Sequence, residues 1–345
     1  MTISSKQIIL DVVNLKETPR TPVALLSGGA WTLNRKGLTL ENALKIGPEK
    51  FAEIIEETNK IVQSDIVWIG SGYHNLAIAA LGGKIKYREK GTPDILESLI
   101  KNVSDIETLN PSNIKEDENL KVLWQASSYL VNNIGQETLV GSSQWGPFTL
   151  AGLLYGVENL MRNIYKDKQV VHAVLEFATE VCYQYFESFI DAGVGILSIA
   201  DPSASGDMIS KSQFNEFSLP YIKKLINRIK ERGVLVCVHI CGNITNRLDL
   251  LAESGASFIS LDYKVDLSVA AEVFKDKMAF SGNMNPVSIM QFSDTKGVKN
   301  ACIDCIEKSG AKSNYIVMPG CDIPPAVPVE NIIAMVETAR NHINN

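Results

Sequence analysis

Along most of the chain, short runs of β-branched and aliphatic residues alternate with longer segments whose apolar positions recur every three to four residues. A strand of a parallel sheet is buried on both faces and reads as a continuous apolar run, whereas an amphipathic helix buries every third or fourth residue. The short runs predict eight strands, at 22–26, 65–69, 138–142, 195–200, 234–239, 257–261, 278–281 and 315–318. The longer segments predict helices over 48–62, 168–192, 210–232, 298–309 and 328–343, with Pro220 breaking the third. Ser210 offers a capping hydroxyl and Pro48 a first-turn proline, while Gly193, Gly233 and Gly310 can close helices in the left-handed conformation.

Strands alternating with helices specify a parallel sheet, and eight such units close into an α/β (β/α)8 or TIM barrel. No internal repeat or low-complexity tract divides the sequence, so residues 1–345 read as a single domain. The interval 71–137 is too long for one unit. Gly82-Gly83 and Pro111-Ser112-Asn113 break it into extra helices and a loop after the second strand. An insertion there lies on the carboxyl side of the barrel, where it can cover an active site.

Composition narrows the function. The chain has 345 residues, 45% of them hydrophobic, enough for a large core, and a net charge of −6. That charge supplies no basic groove for nucleic acid and no face for an anionic membrane, and the cluster Lys223, Lys224, Arg228, Lys230 has the spacing of a solvated helix face. Residues 1–21 lack the basic start and apolar run of a secretory signal, and no apolar run is long enough to span a bilayer, so a cytoplasmic protein is expected. In a reducing compartment Cys182, Cys237, Cys241, Cys302, Cys305 and Cys321 read as packing residues or metal ligands, not as disulfides.

Three residues stand where a barrel keeps its chemistry. His239 and Cys241 share one side of the strand that ends near 239, and Cys321 follows the last strand, preceded by Gly320, which permits close approach of backbone. One imidazole and two thiolates suit tetrahedral Zn²⁺ with a fourth corner left open. Cys237, about 7 Å deeper along the strand, belongs to the core. The bland alternative is a satisfied core histidine with two unrelated buried cysteines. A neutral zinc site of this kind can hold a substrate thiol as a nucleophilic thiolate, and water activation is the competing use.

Several segments carry a family likeness: Ile199-Ala200-Asp201-Pro202-Ser203-Ala204-Ser205, His239-Ile240-Cys241-Gly242-Asn243, Pro319-Gly320-Cys321, Arg20-Thr21-Pro22-Val23, Gly146-Pro147-Phe148-Thr149 and Ser281-Gly282-Asn283. Together they resemble the uroporphyrinogen decarboxylase superfamily and, within it, the methylcobalamin:coenzyme M methyltransferases. The resemblance implies a barrel with zinc on His239, Cys241 and Cys321 that takes a methyl group from a separate corrinoid protein and gives it to a small thiol such as coenzyme M, as in methanogenesis. Two rivals stay open: transfer of methyl from a methoxy or methylthio compound onto a corrinoid protein, and a non-catalytic zinc protein that docks one. The decarboxylases themselves carry an arginine-rich motif near the amino end. Here that stretch is Leu25-Leu26-Ser27-Gly28-Gly29-Ala30-Trp31, without a cation to offset a tetracarboxylate.

The remaining candidates are read with two roles each. Asp201, at the end of its strand, either positions a substrate or a ligand imidazole, or caps a helix. Asp262 either occupies the fourth zinc position until a thiol arrives, or bonds a nearby helix start. Asn243 is a helix cap or a substrate contact, Asn283 a similar case. His74 lies at the mouth as a substrate donor or on the surface, and Gln144, with Trp145 and Phe148, either walls the pocket or belongs to aromatic packing. Cys302 and Cys305 form a C-x-x-C within a helical segment, the wrong setting for redox work. The corrinoid-binding pattern Asp-x-His-x-x-Gly is matched at Cys237-Val238-His239-Ile240-Cys241-Gly242 only without its aspartate, so methylcobalamin must arrive free or on a partner. The sulfonate of coenzyme M calls for a cation, for which Arg35, Lys36 and Lys264 are candidates. A homo-oligomer is compatible with this reading.

Overall fold

A computed structural model describes residues 3–26, 29–310 and 313–342. Seven parallel strands pair in chain order: β1 (Ile66–Ile69), β2 (Leu139–Trp145), β3 (Ile196–Ala200), β4 (Leu235–Ile240), β5 (Phe258–Leu261), β6 (Ala279–Met284) and β7 (Tyr315–Pro319). The eighth position is filled by residues 22–24. Ala24 N–H donates to the Val317 carbonyl and Val317 N–H to that of Pro22, both at 2.9 Å, while Asp65 N–H donates to the Val23 carbonyl at 2.9 Å. The expected first strand at 22–26 is therefore a single bridge at Val23. Side chains take the place of its ladder: Val23 N–H goes to the Asp65 carboxylate at 2.9 Å and Leu25 N–H to the Ser64 hydroxyl at 3.3 Å. The fold is the expected (β/α)8 barrel, closed by this short segment.

β2 runs three residues beyond the expected 138–142, because its carboxyl half, Ser143-Gln144-Trp145, turns polar and loses the apolar signature. The helices Pro48–Val62, Lys168–Asp191, Thr295–Ser309 and Val329–Asn341 lie where the periodicity puts them. The expected end of the last at Ile343 lies outside the described residues. The 210–232 segment divides into Lys211–Phe217 and Leu219–Lys230, parted at Ser218, because Pro220 has no amide to give and fits the first turn of a new helix. Ser210 caps the first of these, its Oγ accepting from Gln213 N–H at 3.2 Å. The insertion after β1 holds the helix Leu76–Ala80, an antiparallel pair (Ile85–Lys86 with Asp94–Ile95), two 3-10 turns and the helix Glu118–Ile134.

Two apolar layers hold the barrel. The larger lies between strands and helices. The smaller fills the barrel interior at its amino end with Ile66, Trp68, Leu139, Ile196, Phe258 and Ile316, closed from below by Ile9 and Val12 of the helix Ser5–Val13. Each such side chain, fully buried, contributes about 1.5–3 kcal/mol. At the same end, fully buried Asp65 accepts from Arg20 at 2.6 and 2.7 Å and from Arg340 at 2.9 Å, tying the closing segment to the last helix.

Candidate metal centre

Period-two alternation along β4 sends Cys237 and His239 inward, and Cys241 follows just past the strand end. Cys237 sits in the apolar layer, where burial pushes its thiol up to about 12. His239 sits opposite Ser260 of β5 in the parallel register. Its Nδ1 lies 3.1 Å from the Ser260 hydroxyl and 3.3 Å from the Ser260 carbonyl. A proton on Nδ1 donated to these oxygens leaves a lone pair on Nε2, which lies 3.2 Å from Cys241 Sγ. Cys241 Sγ is in turn 3.6 Å from Cys321 Sγ, although the two residues are eighty positions apart.

The three ligand atoms lie within 4.8 Å of one another. Tetrahedral zinc with bonds of about 2.3 Å to sulfur and about 2.0 Å to nitrogen requires S···S near 3.8 Å and N···S near 3.5 Å, so the donors stand close to a zinc coordination sphere. Contact between the sulfurs pulls the Cys321 thiol below its ordinary range and pushes that of Cys241 above it. Donor type, spacing and oriented imidazole all fit the ion.

Two glycines let the backbone deliver these ligands. Gly242 has φ +84°, and a Cβ there would come within 2.6 Å of an Asp207 carboxylate oxygen. At Gly320 a Cβ would meet the Tyr263 amide nitrogen at 2.6 Å. Asp262 stands behind Cys241: its two oxygens accept from Gly242 N–H and Lys264 N–H, both at 2.9 Å. It tethers the loop that carries Cys241, and is not among the clustered ligand atoms.

Beside the sulfurs opens a cavity of about 170 Å³, walled by Ser143 and Trp145 of β2, Ser198 of β3, and His74 and Thr92 of the insertion. The insertion thus reaches over the barrel mouth. His74 is buried, not on the surface; its Nε2 lies 2.8 Å from the Ser143 hydroxyl and its ring centroid 4.5 Å from that of Trp145. Burial lowers it to about 4, so the imidazole is neutral at neutral pH.

Other candidates lie away from the sulfurs. Gln144 falls between inward-facing Ser143 and Trp145, so alternation turns it toward the helices instead of the pocket, and its side-chain oxygen accepts from Trp145 N–H at 2.6 Å. Asn243 is exposed, and its Oδ1 accepts from Thr245 N–H at 3.0 Å, the capping role. Asn283 spends its amide on the carbonyls of Asp262 and Val265, at 3.0 and 2.6 Å, bracing the loop after β5. Asp201 is fully buried and caps the helix Pro147–Tyr155, accepting from Thr149 N–H at 2.7 Å and Phe148 N–H at 3.3 Å, with the Ser218 hydroxyl at 3.4 Å. Burial still pushes its carboxyl up to about 6. None of these four side chains reaches the ligand cluster. Ser260, which orients His239, was missed by the sequence reading; its signal is an inward position two residues before Asp262, legible only once the β4–β5 register is known. Cys302 and Cys305 are buried in the helix Thr295–Ser309.

Residues 4–342 match the family model described as uroporphyrinogen decarboxylase (URO-D). A methylcobamide:CoM methyltransferase MtbA of Methanosarcina acetivorans is 29% identical over 253 residues, 73% of each chain. A uroporphyrinogen decarboxylase of Geotalea daltonii is 30% identical over 258 residues, covering 70% of this chain and 71% of that one. Among solved structures, a methyltransferase from Methanosarcina mazei superposes with a TM-score of 0.88 at 21% identity over 98% of each chain, a likeness of fold. Among the described residues no helix is long and apolar enough to cross a membrane.

Proposed function

The chain belongs to the uroporphyrinogen decarboxylase family, and on that premise we propose that it is a corrinoid-dependent methyltransferase that moves a methyl group from a methylated corrinoid to a small thiol at a zinc site formed by His239, Cys241 and Cys321. The observation that carries this reading is the convergence of the three ligand atoms within 4.8 Å at the carboxyl end of the barrel, next to a cavity. Zinc bound there supplies a Lewis acid that keeps the acceptor sulfur deprotonated at neutral pH. Ser260 fixes the tautomer of His239, Asp262 and Gly242 set the Cys241 loop, and the cavity admits a molecule the size of a small thiol. The net reaction is methyl–cobalt(III) plus thiol giving cobalt(I), thioether and a proton.

Decarboxylation of a tetracarboxylate fits less well. The described residues that wall the cavity include no arginine or lysine, and buried carboxylates without partner cations cost several kcal/mol each. A purely structural zinc would call for a fourth protein ligand, whereas the cluster offers three and adjoins open volume. The corrinoid arrives free or on a separate corrinoid protein.

The test is direct. Zinc-loaded protein with methylcobalamin and a thiol is expected to bleach the methylcobalamin band and release the thioether, measured by absorbance and mass spectrometry. Full-rate demethylation by zinc-stripped protein overturns the reading.

A further inference from the structure

Cys241 lies where the sheet no longer fixes the chain. The β3–β4 ladder ends at the pair Ala200 and His239, and the β4–β5 ladder at Ile240 and Leu261, so the Cys241 backbone stands just past both. Asp262 holds the turn on the β5 side, through Gly242 N–H. On the β3 side the turn meets the loop 201–210. Gly206 N–H donates to the Asn243 carbonyl at 3.1 Å, and a Cβ on Gly242 would lie 2.6 Å from an Asp207 carboxylate oxygen and 3.4 Å from the Ser205 Cβ. The same loop brings Pro202 to the cavity beside the sulfurs.

That loop is held from within by one side chain. Arg247, six residues after Cys241, is fully buried; its Nη1 donates to the Ala204 carbonyl at 2.5 Å and its Nη2 to the Ile209 carbonyl at 2.8 Å. Its Nε donates to Asn246 Oδ1 at 3.1 Å, and the guanidinium carbon stands 5.0 Å from the Phe214 ring centroid. The planar fork presents donors in a fixed geometry that spans two carbonyls at once, where lysine offers a single ammonium and methionine no donor. Burying a guanidinium costs more than filling the same space with hydrocarbon. Here its bonds go to main-chain oxygens of a loop beyond the end of the sheet. Arg247 therefore ties the segment that begins at Cys241 to the loop that confronts it, and the Gly206–Asn243 bond closes the ring.

Resting on the zinc-dependent methyl-transfer reading above, we propose that Arg247 is a positioning residue for the metal centre: by fixing the 201–210 loop against the Cys241 turn, it holds the Cys241 sulfur at its distance from His239 and Cys321. Metal–ligand distances tolerate deviations of only about 0.2 Å. A loop released from this grip spoils the ligand sphere before it disturbs the barrel.

Competition with a chromogenic chelator reads zinc affinity, and the visible absorption of the cobalt(II)-substituted protein reads ligand geometry. Arg247→Met is expected to weaken zinc binding about tenfold to a hundredfold and to shift the cobalt bands, and Arg247→Lys, which can satisfy one of the two carbonyls, to recover part of both. Gly206→Ala makes the same test from an exposed position: its methyl would collide with the Asn243 carbonyl oxygen and push the Cys241 turn away, with an expected loss of about tenfold in zinc affinity. Asp65→Ala is the control, since it destabilises the opposite end of the barrel and is expected to leave zinc affinity and cobalt bands unchanged. Wild-type affinity and cobalt bands in Arg247→Met overturn the proposal. If that variant does not fold, wild-type affinity in Gly206→Ala overturns it, as does an equal loss of zinc in Asp65→Ala. Turnover with methylcobalamin and a thiol separates the two readings. Methyl transfer by a wild-type protein whose zinc affinity is indifferent to Arg247 and Gly206 removes the positioning role and leaves the function, whereas the expected zinc losses with no methyl transfer remove the function and leave the positioning role. A wild-type protein that binds no zinc removes both.

Discussion

The two ends of the barrel interior are built from the same strands in two-residue steps, and they differ completely in chemistry. At the amino end the inward residues are Ile66, Leu139, Ile196, Cys237, Phe258 and Ile316, dry and closed by a helix. One step further Ile196, Cys237 and Phe258 give way to Ser198, His239 and Ser260, two steps beyond Leu139 stands Ser143, and beyond these stand Cys241, Asp262 and Cys321. Cys237 and Cys241 show the contrast in a single residue type. The first is a buried thiol among hydrocarbons, and the second lies 3.6 Å from a neighbouring sulfur beside an oriented imidazole. Chemical role here follows depth along the barrel axis, which sets solvation and neighbours.

Paired alanine substitutions test that contrast most sharply. Cys241→Ala is expected to weaken zinc binding by at least about a thousandfold, several kcal/mol of the ~10–16 that such sites supply. Cys237→Ala is expected to keep its zinc through dialysis against a chelator and to lose about 1–2 kcal/mol of unfolding free energy in urea. Loss of zinc from the second variant would break the comparison. At the amino end, Asp65→Ala leaves Arg20 and Arg340 without their carboxylate, and is expected to cost about 3–5 kcal/mol in urea titrations with zinc affinity unchanged.

Asp201 gives the next effect, in pH. The folded protein holds its proton up to about 6, whereas the unfolded chain releases it near 4. Between those values the folded state binds more protons, so stability falls as pH rises from about 4 to about 6, by up to about 3 kcal/mol. The Asp201→Asn variant should lack that slope, and the difference between the two proteins in urea titrations across pH 4 to 7 checks it. The smallest effect concerns the imidazole's support: Ser260→Ala is expected to lower zinc affinity about tenfold to a hundredfold, read by competition with a chromogenic chelator. No change there would show that the Ser260 carbonyl alone orients His239.

The barrel and the convergence of His239, Cys241 and Cys321 were legible because both rest on local signals: apolar runs of strand length, and histidine and cysteine side chains at their carboxyl ends. What escaped depends on contacts between distant segments. Residues 22–26 look like a strand, yet Asp65 and Ser64 take amides that a ladder would use. Gln144 was placed in the pocket because β2 seemed to end at Ser142; with the strand running to Trp145, alternation turns it away. Asp201 ends its strand as expected, but the amides it meets belong to a helix fifty residues earlier in the chain. His74 is buried only because the insertion folds back over the mouth.

The pairing of His239 with Ser260 in the β4–β5 register carries a further consequence. A slip of one residue between these strands would preserve the number of backbone bonds and yet swing the imidazole out toward the helices. Metal uptake would then report on strand alignment, so a zinc-sensitive dye added during refolding should separate correctly threaded molecules from compact but misaligned ones that circular dichroism counts as native.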